Sequence, residues 1–191
     1  MYNVGENLQN IDKTPLNFVM NGSNRVFIND VIEYENCSHL IADITTILDI
    51  PGNGLIEMFI NSPGGDFYTA LSIMNVLELA KMKGLTINTY VTGEAASAAS
   101  MLALMGDNRY IYKYARHMIH FGSCFQEINK QTEIKKATFD AELFHKICLE
   151  IYTTKTSMKE SFVEKLMEDE YGYMNAKECL KYKIATEIIG G

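Results

Sequence analysis

The stretch that decides the fold is GEAASAAS, residues 93–100, in which Ser97 lies among small residues. The apolar run before it, residues 85–91, is typical of a β-strand, and residues 100–105 after it are typical of a helix. Ser97 is therefore predicted at the turn from a strand into a helix. Small neighbours let a substrate carbonyl approach both the serine oxygen and the adjacent backbone N–H groups.

Upstream, the segment INSPGG at residues 60–65 predicts a tight turn after a strand. Its two glycines permit a close approach of the backbone to a ligand. We expect the backbone N–H groups of Gly65 and Ala98 to be the donors that stabilise an oxyanion, although glycine in a tight turn needs no catalysis to explain it.

Downstream, the segment MIH at residues 118–120 supplies a base that can take the proton of Ser97. Successive side chains of a strand point to opposite faces, so only one of His117 and His120 can face the serine. We assign His120 as the base and His117 as a structural or exposed group. Together these parts are those of a serine hydrolase.

The alternative for Ser97 is a helix N-cap, the ordinary role of serine at such a position. Ser100 is a second serine in the same stretch, but it lies one turn further into the helix and away from the turn that would receive substrate.

In this order, the three segments resemble the ClpP family, the proteolytic subunits of the Clp protease, which read INSPGG, GQAAS and MIH. The resemblance runs from about Arg25 to the C-terminus and is densest over residues 60–120. It implies an α/β, crotonase-like fold of layered ββα units with a helical handle at about residues 123–154. It also implies a serine endopeptidase that hydrolyses peptide bonds in a closed chamber through an acyl-enzyme on Ser97.

For partners, the resemblance implies a homo-oligomeric ring, heptameric or double, that acts on peptides or unfolded proteins and can work with an AAA+ unfoldase. Two tyrosines of the family's apolar dock for that ATPase are replaced here by Glu57 and Phe59. A charge at this place opposes an apolar docking loop by its desolvation cost.

The acid of the triad departs from the family pattern. The family has an aspartate just ahead of a segment that corresponds to residues 173–176, and without a gap its place is taken by Tyr171. A two-residue insertion, residues 171–172, puts Asp169 in this role, with Glu170 the next candidate. The remaining alternative is an acidic helix end with no catalytic part.

The length of 191 residues fits one domain, which we assign to residues 25–191, preceded by a mobile N-terminal arm at residues 1–24. The predicted strands are residues 26–28, 56–60, 85–91, 109–112 and 117–121. The predicted helices are residues 38–48, 68–81, 100–105, 132–154 and 158–168, and a last one that Asn175 caps and that runs through Tyr182.

The net charge of −7 argues against a nucleic-acid surface. The four cysteines are widely spaced without a CxxC pair, which indicates reduced thiols and no metal site. The chemistry needs no cofactor. Residues 1–23 lack the apolar core of a signal peptide, and the longest apolar stretch, residues 95–105, is too short for a bilayer, which needs about 20 residues. We therefore expect a cytoplasmic protein without membrane contact.

Two other functions fit parts of this pattern. A catalytically weak or inactive ring subunit that assembles with an active paralogue would accommodate Tyr171 at the place of the acid. An acyl-CoA enzyme of the crotonase fold could use the N–H groups of Gly65 and Ala98 for an enolate, but it needs no serine–histidine pair, and no basic cluster for CoA phosphates is present.

Overall fold

The central feature is a sheet of mainly parallel strands whose side chains alternate between a buried and a partly exposed face. A computed structural model describes residues 17–19, 24–48, 54–120, 131–168 and 172–190. The strands are β1 (Asn17–Val19), β2 (Arg25–Ile28), β3 (Leu55–Ser62), β4 (Thr86–Ala96), β5 (Asn108–Tyr112), β6 (Arg116–Met118), β7 (Tyr173–Asn175) and β8 (Glu187–Ile189). The helices are α1 (Tyr34–Ile47), α2 (Phe67–Met82), α3 (Ala98–Ala103), α4 (Gln131–Lys155), α5 (Glu160–Glu168) and α6 (Ala176–Lys181).

The strand order is β1-β2-β3-β4-β5-β8, with parallel pairing throughout except for the antiparallel edge strand β1. Strand β4 is long enough to pair with two strands on the same side, one after the other. Its first half pairs with β5, from Asn88 to Val91, and its last residues, Glu94 to Ala96, pair with β6. Strand β7 then pairs antiparallel to β6. The segment after β4 and the segment after β6 therefore leave the sheet side by side.

The core lies between one face of this sheet and the helices. Strand β3 buries every second residue, and helices α1 and α2 bury apolar residues at helical spacing against it. Fully buried members of this cluster include Leu40, Ile44, Ile56, Met58, Ile73 and Leu77. Burial of each such side chain stabilises the folded state by about 1.5–3 kcal/mol relative to leaving it exposed.

Side-chain caps fix two of the helix starts. The carboxylate of Asp66 accepts the Thr69 N–H at 2.7 Å, so α2 begins immediately after the Pro-Gly-Gly turn. Asn175 and Glu178 form a capping box at the start of α6, which confirms the predicted cap. Residues 63–66, between the end of β3 and the start of α2, are therefore outside any helix.

The predicted elements are confirmed, with shifted bounds in a few places. Strand β4 continues past the predicted end at Val91 to Ala96, and α3 begins at Ala98 instead of at Ser100. The strand predicted for residues 117–121 is shorter, Arg116–Met118, and Phe121 lies outside the described residues. Asn17–Val19, inside the predicted mobile arm, pairs with β2 as a strand. Of the predicted handle, the structure describes α4, while residues 123–130 lie outside the described part.

Within the described ranges, no helix combines the length and apolar character needed to cross a membrane.

Candidate active site

Ser97 occupies the sharp turn between β4 and α3 in a strained backbone conformation. Its φ is 53° and its ψ is −125°, a region that non-glycine residues rarely adopt and that is often found at functional sites. Although Ser97 precedes the helix, its hydroxyl accepts no backbone N–H of α3. The interpretation of this serine as an ordinary helix cap is therefore not what the structure shows, and the hydroxyl is left available for chemistry.

Gly64 packs directly against this serine. A Cβ added to Gly64 would lie 2.7 Å from the Ser97 Cβ and 2.9 Å from the Ala98 nitrogen, so only glycine fits there. The φ of Gly64 is 94°, which also favours glycine. The Pro-Gly-Gly turn and the serine turn thus form the two walls of one narrow cleft.

The backbone at Gly65 is held by hydrogen bonds of its neighbours. The Ile32 N–H donates to the Gly64 carbonyl at 2.7 Å, and the Asp66 N–H donates to the Ile32 carbonyl at 2.6 Å. Because these bonds use the groups on either side of Gly65, its own N–H points away from Ile32. Among the described residues, neither the Gly65 N–H nor the Ala98 N–H has a hydrogen-bond partner.

His120 lies at the same edge of the sheet as Ser97. Ala96 is opposite Met118 in the parallel register, and the Ser97 N–H donates to the Met118 carbonyl at 3.0 Å. The chain therefore continues through Ile119 to His120 beside the serine turn. His120 is partly buried, and this desolvation lowers its pKa below the ordinary value of 6.5.

No hydrogen bond joins the Ser97 hydroxyl to His120 in this structure. Such contacts are often long in the absence of substrate and tighten in the complex.

The predicted acid, Asp169, and its alternative, Glu170, lie outside the described residues. The described chain resumes at Gly172, beside the predicted base: the Ile119 N–H faces the Gly172 carbonyl at 3.4 Å. A Cβ on Gly172 would lie 2.5 Å from the Ile119 carbonyl oxygen, so this contact is close. Gly172, three positions after Asp169 in the sequence, therefore lies beside the residue that precedes His120.

His117, which the sequence analysis assigned as a structural or exposed group, is completely buried. Of these two alternatives, the structure therefore supports the structural one. Its Nε2 lies 2.7 Å from the Tyr152 hydroxyl, which donates to the Ser100 Oγ at 2.6 Å. Ser100 in turn donates to the Ser97 carbonyl at 2.5 Å. Sequence reasoning set Ser100 aside and missed Tyr152, whose only signal was a tyrosine among the otherwise non-hydroxylated core residues of α4, which include Phe144, Cys148 and Ile151.

A row of aromatic rings crosses the face of the sheet opposite the core. These side chains alternate with the buried residues of four adjacent strands and are partly exposed. The row consists of Phe27, Phe59, Tyr90 and Tyr110, with successive ring centroids 5.2, 4.7 and 4.8 Å apart.

Glu57 lies at the margin of this row and places a negative charge beside it. Its carboxylate pairs with Arg25 at 3.2 Å and accepts a hydrogen bond from the Tyr90 hydroxyl at 3.2 Å. Glu57 and Phe59, which replace the two tyrosines of the family's dock, thus share this face, and the carboxylate is partly neutralised by Arg25.

The described residues contain no group of three or more His, Cys, Asp or Glu side chains suited to a metal ion. Burial raises the pKa of the Cys148 thiol and of the Cys179 thiol to about 12, so both are inert at neutral pH. Cys124 lies outside the described part.

Comparison with known proteins supports one family. The family model of the Clp protease matches residues 13–191. The ATP-dependent Clp protease proteolytic subunit of Deinococcus radiodurans is 26% identical over 167 residues, which cover 86% of this chain and 79% of the relative. Subunit 1 of the same protease from Protochlamydia amoebophila is 29% identical over 171 residues, covering 87% of this chain and 81% of the relative.

Among solved structures, a point mutant of ClpP1 from Listeria monocytogenes superimposes with a TM-score of 0.75. The identity is 22%, over 88% of this chain and 92% of the other. The parallel sheet with its α/β layers is thus a ClpP-like fold. The chain belongs to the Clp protease family.

Proposed function

We propose that this chain is a serine endopeptidase subunit of a ring-shaped compartmental protease, with Ser97 as nucleophile and His120 as general base. The observation that carries the proposal is the conformation of Ser97: a strained residue at a strand-to-helix turn whose hydroxyl does not cap the helix. Gly64 lies against it, where any side chain would collide with the serine turn. Membership of the Clp protease family supports the same chemistry.

The reaction follows from these positions. The Ser97 Oγ forms a bond to the peptide carbonyl carbon while His120 takes the hydroxyl proton, and the carbonyl oxygen becomes an oxyanion that the Gly65 and Ala98 N–H groups stabilise. The C–N bond then breaks, and His120 gives its proton to the leaving amine. A water molecule attacks the acyl-enzyme, His120 accepts its proton, and the Ser97 oxygen recovers a proton as the acid product leaves.

The depressed pKa of His120 suits this cycle. A base whose pKa is lowered by partial burial is neutral at physiological pH and is ready to accept the serine proton. We assign Asp169 as the residue that orients the imidazole, because only residues 169–171 separate α5 from Gly172, and Gly172 lies next to Ile119.

Peptides or unfolded proteins are the proposed substrates, bound in extended form. The backbone edges expected to pair with a substrate strand are residues 63–67 and 121–125. Phe67 is the first residue of α2, so residues 63–66 remain as the extended part of the first edge. Residues 121–125 lie outside the described part.

Assembly into a homo-oligomeric ring, a heptamer or a double ring, is also proposed. Helix α4 of the handle leaves Ile134 52% and Phe139 62% exposed, and such apolar residues on a single chain favour burial against another subunit. The aromatic row, Phe27 to Tyr110, is a surface that an AAA+ unfoldase could contact, with the Glu57–Arg25 pair at its margin. We place the protein in the cytoplasm.

The proposed function is tested by hydrolysis of short fluorogenic peptides. We expect the assembled wild type to cleave them and Ser97→Ala to lose this activity, while Ser100→Ala keeps a measurable part of it. Activity that survives in Ser97→Ala would remove the proposal.

The second candidate is a catalytically weak subunit that needs an active paralogue. Tyr171 at the ungapped place of the acid favours it. A purified chain that assembles but cleaves no peptide until a paralogous subunit is added would establish this alternative.

A further inference from the structure

Three buried side chains form a hydrogen-bonded chain that ends on the backbone of Ser97. The His117 Nε2 lies 2.7 Å from the Tyr152 hydroxyl, which lies 2.6 Å from the Ser100 Oγ, which lies 2.5 Å from the Ser97 carbonyl oxygen. His117 and Tyr152 are fully buried, and Ser100 is 1% exposed. No solvent therefore competes for these bonds.

The direction of every proton in this chain is fixed by its last acceptor. A carbonyl oxygen can only accept, so the single hydroxyl proton of Ser100 goes to Ser97. Tyr152 must then donate its own proton to Ser100, and His117 must carry its proton on Nε2 and donate to Tyr152. The Nδ1 of His117 is left as a bare acceptor, and this buried atom has no hydrogen-bond partner among the described residues.

The protonation states keep this arrangement constant. Burial lowers the pKa of His117 to about 3, so the imidazole is neutral. Burial also raises the pKa of Tyr152 far above its ordinary value, so the phenol keeps its proton. At neutral pH, the three groups therefore have one hydrogen-bond pattern.

The receiving carbonyl belongs to the peptide group that also carries the Ala98 N–H. The Ser97 carbonyl accepts the Ser100 N–H at 3.0 Å in addition to the Ser100 hydroxyl, so two bonds hold it. A trans peptide group is planar, and its C=O and N–H point in opposite directions. Fixing the Ser97 carbonyl therefore fixes the direction in which the Ala98 N–H points.

We propose that Ser100, Tyr152 and His117 are positioning residues that hold the Ser97–Ala98 peptide plane and thereby aim the Ala98 N–H at the oxyanion. This inference rests on the proposed role of Ser97 as nucleophile. The strained conformation of Ser97 makes such support necessary, because a residue with φ of 53° keeps that conformation only when its surroundings determine it.

The test compares Ser100→Ala and Tyr152→Phe with a matched control, Thr89→Val. Thr89 is 1% exposed, and its hydroxyl donates to the Ala103 carbonyl at 2.7 Å, so it also binds a backbone carbonyl of α3, but at the end away from Ser97. For each variant, the second-order rate of labelling by a fluorophosphonate probe, kcat and KM for a short peptide, and the free energy of unfolding are measured.

We expect Ser100→Ala to lower the labelling rate and kcat by about 10- to 100-fold, because removing an oxyanion donor altogether costs about 100- to 1,000-fold. Tyr152→Phe keeps the Ser100–Ser97 bond and should lose less, about 3- to 10-fold, on the same scale. KM should stay within about twofold in both, since the donor acts chiefly on the transition state. Thr89→Val should match the stability loss of Ser100→Ala and keep the wild-type rate.

The outcomes separate this inference from the proposed function. Wild type that labels, with Ser100→Ala labelling equally fast, overturns the inference alone. A rate loss in Thr89→Val equal to that in Ser100→Ala overturns it too, because general destabilisation would then explain both. Wild type that labels no faster than Ser97→Ala removes the proposed function, and the inference with it.

Discussion

Gly64 and Ser97 are in van der Waals contact across the candidate cleft, although they belong to different βα turns. A Cβ on Gly64 would lie 2.7 Å from the Cβ of Ser97 and 2.6 Å from the Ala96 carbonyl oxygen. The contact exists because β3 and β4 are adjacent parallel strands, so the turns that follow them meet at one edge of the sheet. The serine turn can adopt this conformation only because residue 64 has no side chain.

We predict that Gly64→Ala lowers peptidase activity by about 100-fold or more, since displacement of a nucleophile by about 1 Å has effects of this size. The matched control is Gly84→Ala. Gly84 also has a positive φ, of 86°, but no atom lies within 4 Å of its added Cβ. The control should lose about 1–2 kcal/mol of stability from backbone strain and keep its activity. Equal activity in the two variants would show that the contact between Gly64 and Ser97 is not needed for catalysis.

We predict that burial of His117 makes stability depend on pH. Its pKa is about 3 in the folded chain and about 6.5 when unfolded, so between these values only the unfolded chain binds the proton. The contribution of neutral His117 to the free energy of unfolding is therefore fully present above pH 6.5 and is lost as the pH falls towards 3. From pH 7.5 to pH 5 the loss is about 2 kcal/mol.

The measurement is urea unfolding of wild type and His117→Leu at pH 7.5 and pH 5, at one protein concentration. His117→Leu should lack this part of the pH dependence, whereas Tyr152→Phe, which keeps the buried imidazole, should retain it. An unchanged slope in His117→Leu would show that His117 does not carry the effect.

For His120, we predict an acid limb of kcat/KM with a midpoint below pH 6.5. The base must be neutral to accept the serine proton, and desolvation lowers its pKa, so activity persists to a lower pH than an exposed histidine allows. The profile is measured with a short peptide on the assembled protein. A midpoint at or above pH 6.5 would contradict this prediction, and it is the result expected if the carboxylate of Asp169, the residue proposed to orient His120, outweighs the effect of burial.

We predict that Asp169→Asn lowers kcat by about 10,000-fold, as loss of the orienting carboxylate does in serine proteases. Glu170→Gln is the matched control and should stay within a few-fold of wild type. The reverse result would assign Glu170 as the acid. If neither variant changes kcat, the chain works without either carboxylate.

Much of the fold follows from local sequence signals. The mainly apolar run at residues 56–60 predicts β3, and Asn175 as a helix cap predicts the start of α6. The extension of β4 beyond Val91 was missed because residues 93–96 are Gly, Glu, Ala and Ala, which have low strand propensity. They are a strand because β3 and β6 flank them and satisfy their backbone groups.

The site is predictable only in part, for a physical reason. Ser97, His120 and Gly65 belong to short motifs, and the fold brings these motifs to one edge. The Ser100–Tyr152 bond joins residues 52 positions apart, and the His117–Tyr152 bond joins residues 35 apart. Such pairs depend on how α4 packs on the sheet, and no local pattern encodes it.

The most direct test of the central claim is intact-mass analysis of the assembled protein after reaction with a fluorophosphonate, for wild type and Ser97→Ala. In the reaction, the Ser97 oxygen bonds to phosphorus, fluoride leaves, and the hydroxyl proton passes to His120. We predict one adduct per chain in wild type and none in Ser97→Ala. An adduct that persists in Ser97→Ala, or its absence from assembled wild type, would contradict the assignment of Ser97 as an activated nucleophile.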